Sequence, residues 1–222
     1  MEMEATRPTP ARFSIEALRE GLETPPPGTL GPGLPRVRLM IGMAEAVAEK
    51  GYAATTIADV VRHASVSRRT FYEHFEDKEA CFLAAYEGAA ALILDIVARA
   101  AGREGPWEER LMGGLSAYLD AMVEEPALTR VFLVEILGAG PRALERRREV
   151  HERFASLQRA MVEALRADHP ELAQLSPPMS IALVAAINEL VLLAVEEAPD
   201  AERIDALRET AAELLRAVIG RP

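Results

Sequence analysis

Thr55-Thr56-Ile57-Ala58-Asp59-Val60-Val61, then Ala64-Ser65-Val66-Ser67, then Thr70-Phe71-Tyr72-Glu73-His74-Phe75-Glu76-Asp77-Lys78-Glu79 is the stretch that decides the fold. Thr55 or Thr56 offers the N-cap hydroxyl for a helix through Val61 and Ala64, and Ser65-Val66 reads as a turn. Ser67 caps Arg68 to Phe75, and Asp77 caps a long helix from Lys78 toward Arg99. Helices of under about ten residues are unstable alone, because nucleation outweighs their few internal hydrogen bonds. The two short ones must therefore pack on their neighbours as one small unit, a helix-turn-helix outline.

Upstream, a helix with Pro35 in its first turn buries Leu39, Met43, Ala46 and Val47 and stops at Gly51. Residues 1–34 are dense in Pro and Gly around one short island, Phe13 to Leu22, and read as a disordered extension. Its Arg7, Arg12 and Arg19 are outnumbered by glutamates, which argues against a basic minor-groove arm and leaves Arg7 and Arg12 to act singly. Downstream, breakers at Gly105-Pro106, Glu125-Pro126, Gly138 to Pro141, His169-Pro170, Pro177-Pro178 and Pro199 divide the chain into five more helices. No run of alternating β-branched residues occurs. The expectation is an all-α chain of about nine helices, with residues 35–80 as a three-helix domain and 81–222 as a second helical domain.

Several function classes fall away. The net charge of −10 prevents binding of polyanions through the average field, so any nucleic-acid site must be local. Cys81 is the sole cysteine, which excludes an intrachain disulfide, and beside Phe82 and Leu83 it reads as a small buried hydrophobe. His63, His74, His151 and His169 lack metal-ligand spacing, and no cofactor motif occurs. Gly114-Leu115-Ser116-Ala117-Tyr118 lacks the second Gly and the strand of a nucleophile elbow, and Gly138-Ala139-Gly140 has no Lys or strand for a phosphate loop. Neither a signal peptide nor an uninterrupted bilayer-length run is present, since Asn188-Glu189 breaks Ile181 to Val195. The chain reads as a soluble cytoplasmic protein that is no enzyme and has no membrane partner.

The quoted stretch, with Gly51-Tyr52 before the Thr pair and the Tyr-x-His-Phe-x-x-Lys-Glu run at its end, resembles the DNA-binding domain of the TetR family of bacterial transcriptional regulators. The resemblance covers about one fifth of the chain and implies a helix-turn-helix DNA reader followed by an effector pocket. Ser65 stands where the family usually has Gly, and Arg69 where a small residue is common. The second helix of such a motif presents its N-terminal residues to base edges, which is where Arg68, Arg69 and Thr70 fall. An Arg fork matches guanine O6 and N7. Thr56 and Ser67 cap N-termini suited to phosphate, while Arg36, Tyr72, His74 and Lys78 complete the set expected at the DNA backbone. Residues 35–80 hold equal numbers of basic and acidic side chains, so a single copy should bind double-stranded DNA weakly, and a homodimer on a palindromic operator is expected.

The helix near 178–198 is apolar on nearly every side, and the last helix repeats Ile204, Leu207, Ala211, Leu214 and Val218 as a narrow seam. Leu190, Leu193, Leu207, Ala211, Leu214 and Val218 are therefore read as the dimer surface. An apolar or amphipathic small-molecule effector is expected among the helices of residues 106–198, at Tyr118, Met122, Phe132, Glu135, His151, Met161 and Asn188. The carboxylates of Glu135 and Glu189 favour a donor-bearing or cationic head, and an aromatic content of 5% favours aliphatic walls. The reading is a ligand-responsive repressor; its rival is an all-α enzyme or protein-protein adaptor with a vestigial DNA-binding outline.

Overall fold

The computed structural model describes residues 33–196 and 201–220. The expectations for the N-terminal extension up to residue 32 lie outside the described residues. Among the described residues the chain is built of α-helices and one 3₁₀ turn, without strands. In chain order they are α1 (Leu34–Lys50), α2 (Ile57–Ala64), α3 (Arg68–His74), α4 (Lys78–Ala101), α5 (Trp107–Glu124), α6 (Pro126–Leu133), the 3₁₀ turn Glu135–Gly138, α7 (Pro141–Arg166), α8 (Pro177–Glu196) and α9 (Ala201–Ile219).

Local chemistry sets most boundaries. Pro35, Pro126 and Pro141 lie in the first turns of their helices, where a missing N–H costs nothing. Gly51 ends α1 at φ +78°, a conformation open to glycine. Thr56, rather than Thr55, caps α2 in a reciprocal box with Asp59. Thr55 is buried and donates its hydroxyl to the Ala46 and Gly51 carbonyls, which ties the α1–α2 loop to α1. Ser65 closes α2 in the left-handed region at φ 50°, and Arg38 Nη2 donates to its carbonyl at 3.0 Å. The turn thus keeps the left-handed geometry that Gly would adopt more easily, braced from α1.

Around α1 gather α2, α3, α4 and α6. Leu39, Met43, Val60, Phe71 and Phe82 fill the space between them without solvent contact. The helices α4, α5, α7 and α8 form the second layer, and α9 closes against α5 and α8. By length and composition α4 and α8 both reach what a bilayer crossing requires. The first is a core helix, buried at Cys81, Phe82, Ala89 and Ile93. Only one face of α8 is covered by its own chain: Leu183, Ile187 and Val191 are buried, while Met179, Ile181 and Leu193 are exposed.

Two sequence expectations change here. The helix expected between the breakers at Pro126 and Gly138 does not run through, because α6 ends at Leu133 and the 3₁₀ turn re-aims the chain. Leu207 and Ala211, read as dimer-seam residues, are buried within the chain together with Leu215 and Ile219, so they have no face left for a partner. A further constraint lies at Gly42, where an added Cβ would stand 2.7 Å from Ala64 N and 2.9 Å from the Val60 carbonyl oxygen. Both obstacles are backbone, so α1 and α2 would have to separate. Gly42→Ala should therefore lower the unfolding free energy by about 1–3 kcal/mol despite Ala's better helix propensity. Chemical denaturation checks this, and an unchanged midpoint would contradict the close approach.

Candidate functional site

The outer face of α3 is built from a cap and a buried anchor. Ser67 Oγ accepts from Thr70 N–H at 3.0 Å and lies 2.9 Å from the Thr70 hydroxyl, which fixes the first turn. Phe71 is fully buried and forces its neighbours outward. Tyr72 is consequently exposed, its ring edge-on to Phe71 at 5.5 Å. Arg68 and Arg69 are exposed at the N-terminus of α3. Arg69 Nε bonds Glu73 at 3.0 Å, whereas Arg68 has no partner among the described residues.

The other cations expected on this surface are engaged elsewhere. Arg36 Nη1 donates to the His74 carbonyl at 3.0 Å, and its guanidinium lies 4.2 Å from the Phe75 ring centre, so it ends α3 rather than standing free. Lys78 Nζ donates to the carbonyls of Tyr52 at 2.8 Å and Thr55 at 2.9 Å, and sits 4.1 Å from the Tyr52 ring centre. Desolvation lowers its pKa from the ordinary lysine value. Lys78 therefore braces the α1–α2 loop: its ammonium, expected at the DNA backbone, is engaged by two carbonyls while the side chain stays half-buried. The N-terminus of α2 is altered as well. Lys50 at 2.6 Å, then the Thr56 hydroxyl and N–H, hold the Asp59 carboxyl far below the usual carboxylate range, which puts a fixed negative charge where Thr56 is expected to favour phosphate. Of the expected N-termini, that of α3 at Ser67 keeps its place without such a charge.

A cavity of about 930 Å³, counting its open mouth, lies between α4, α5, α6, α7, α8 and α9. Tyr118, Met122, Phe132, His151, Met161 and Asn188, six of the candidate ligand residues, line it. Glu135 does not: its Oε2 accepts from Tyr52 N–H at 2.7 Å, because the 3₁₀ turn points it at the α1–α2 loop. Glu189 is exposed on α8. Tyr86, Ala90, Ile93 and Val97 of α4, and Phe154 and Gln158 of α7, line the cavity beyond the expected set. The spacing of the α4 residues marks one helical face, a signal present in the sequence. With Tyr86, Tyr118, Phe132 and Phe154 in the wall, it is more aromatic than the chain's composition suggests.

Within the cavity Tyr118 donates its hydroxyl to Asn188 Oδ1, and Asn188 Nδ2 lies 3.4 Å from His151 Nε2. Burial raises the Tyr118 phenol pKa, and burial, then Arg147, lowers the His151 imidazole to about 4.

Residues 44–85 match the family model described as bacterial regulatory proteins, tetR family. Over those residues, which span α2, α3 and the ends of the flanking helices, the chain is similar to the TetR family. Solved TetR-like structures are similar along most of their length at low identity, which speaks for the fold alone. The FadR transcriptional regulator of Bacillus subtilis in complex with stearoyl-CoA aligns with TM-score 0.71 at 16% identity, over 83% of this chain and 98% of that one. The fatty acid degradation regulator FadR of Bacillus halodurans gives 0.72 at 17%, over 84% and 96%. Reduced NemR of E. coli gives 0.63 at 19%, over 85% and 98%. No protein of curated function matches the sequence.

The cavity carries a pH signature. His151 is only 8% exposed and stays neutral in the folded state down to about pH 4, whereas an unfolded imidazole protonates near 6.5. Below pH 6.5 the unfolded chain binds the extra proton, so stability falls as the pH drops toward 4, by up to about 3 kcal/mol from this residue. His151→Gln should remove that part of the acid sensitivity. Urea midpoints at pH 7 and pH 4.5 measure it, and identical pH dependence in the two proteins would contradict the assignment.

Proposed function

We propose that the chain is a ligand-responsive transcriptional repressor that binds a palindromic operator as a homodimer and is released by a small-molecule effector. Residues 35–80 are the DNA-binding unit and residues 81–222 the effector and dimerisation unit. The observation that carries the reading is Arg68, exposed and unpaired among the described residues at the Ser67-capped start of a helix that Phe71 anchors. There a guanidinium reaches base edges in a major groove, with Arg69 available once it leaves Glu73. Thr70 and Tyr72 stand beside them for the phosphates, and His74 lies at the helix end.

The effector reading rests on the cavity, whose wall is predominantly apolar with a few convergent polar groups, as in small-molecule sites. The ligand-bound FadR structure supports it as a use of this fold. The dimer reading rests on α8, whose Ile181 and Leu193 lie exposed, with Leu190 and, on α9, Leu214 and Val218 half-buried beside it. An effector that favours the arrangement with misplaced α3 helices lowers DNA affinity only by its differential affinity for the two states.

Fluorescence anisotropy on DNA from upstream of the protein's own coding sequence tests the reading. Arg68→Ala should cost about 1–3 kcal/mol on that fragment and far less on random DNA. Equal losses on both would place base reading elsewhere.

A further inference from the structure

We infer that the cavity selects an uncharged, largely hydrocarbon ligand with one hydroxyl or amide head, seated at the Tyr118–Asn188–His151 cluster; this rests on the cavity being the effector site. No Asp, Glu, Lys or Arg is among the residues that line it. An ion placed there would leave water without a counter-charge, whereas a hydrocarbon chain loses nothing against walls such as Ile93, Leu115 and Met161. The expectation of a cationic head depends on Glu135 and Glu189, and neither reaches the cavity. Two flanking positive charges are equally indirect. Arg147 stands one turn before His151 on α7, outside the lining, and Arg110 belongs to an adjoining hollow where its Nε donates to the Ala101 carbonyl at 3.3 Å.

The head is specified by what the cluster leaves open. Tyr118 O–H donates to Asn188 Oδ1, so the Asn188 amide nitrogen faces His151 as donor. One Asn188 N–H and the Tyr118 oxygen lone pairs stay free, a donor and an acceptor side by side. A hydroxyl or an amide satisfies both at once, while a carboxylate can only accept and an ammonium can only donate. Gln158 lies about 10 Å further along α7. It lines the same cavity, and its carboxamide oxygen is buried without a hydrogen-bond partner, so turning it toward a second donor on a long ligand breaks no existing bond.

Isothermal titration calorimetry of the full chain at pH 7.5 with 1-decanol, decanoate and decylammonium tests this. The expected result is a Kd for 1-decanol at least tenfold below that for either ion, with Tyr118→Phe weakening 1-decanol threefold or more. Asn188→Leu should act in the same direction, and Tyr118→Phe keeps the ring in place if that variant fails to fold. Either ion binding as tightly as 1-decanol would overturn the charge selection while leaving the cavity a ligand site. An unchanged 1-decanol affinity in Tyr118→Phe would overturn the head placement. Failure of all three probes to bind would overturn the inference together with the effector reading beneath it.

Discussion

The Lys78 ammonium, held between the carbonyls of Tyr52 and Thr55 and against the Tyr52 ring, is the contact on which the DNA-binding unit depends. It fixes the loop after α1 to the first turn of α4, and Arg36 does the same for the end of α3, while Arg38 holds the turn at Ser65. Short helices need such braces, since α2 and α3 are too brief to persist alone. The consequence is electrostatic. Lys50 and Arg62 are paired with Asp59 and Glu49, so nearly every cation of this unit is engaged within the protein. Arg68 is the exception among the described residues. In the proposed function, so little free positive charge makes a single copy a weak DNA binder and favours two copies on a two-fold axis.

The same constraint reaches the cavity through α4. Its first turn is locked to the DNA-binding unit by Lys78 and by Phe82, whose ring lies 4.7 Å from that of Tyr52. The next turns of the same continuous helix carry Tyr86, Ala90, Ile93 and Val97 into the cavity wall. A ligand that displaces this wall moves the anchor of the DNA-binding unit with it, for a packed helix shifts as a body rather than deforming locally. Glu135 adds a second link, since it joins the 3₁₀ turn after α6 to Tyr52 N–H across the same boundary. In the proposed function, coupling of the two sites thus has a physical route.

What the sequence made legible was local. The caps at Thr56, Ser67 and Asp77 and the stop at Gly51 follow from side chains within a few residues of the backbone they satisfy. The cavity residues on α5 and α7 were readable because helical spacing puts them on one face. Glu135 was misplaced because its partner lies 83 residues away, and a 3₁₀ turn changed its direction. The carbonyl partners of Lys78 and Arg36 were not legible, since nothing nearby in sequence shows a carbonyl waiting for them. Leu207 and Ala211 kept the period of a seam, but periodicity cannot tell a partner helix from the chain's own α5 and α8.

Selection of bound DNA from a random-sequence pool by the full-length chain tests the central claim most directly, namely that α3 reads DNA as one of a two-fold pair. The account predicts enrichment of an inverted repeat whose half-sites lie about one helical turn apart, lost when Arg68 is replaced by Ala. Recovery of no common sequence, or of one unrepeated half-site bound equally well by Arg68→Ala, would contradict it.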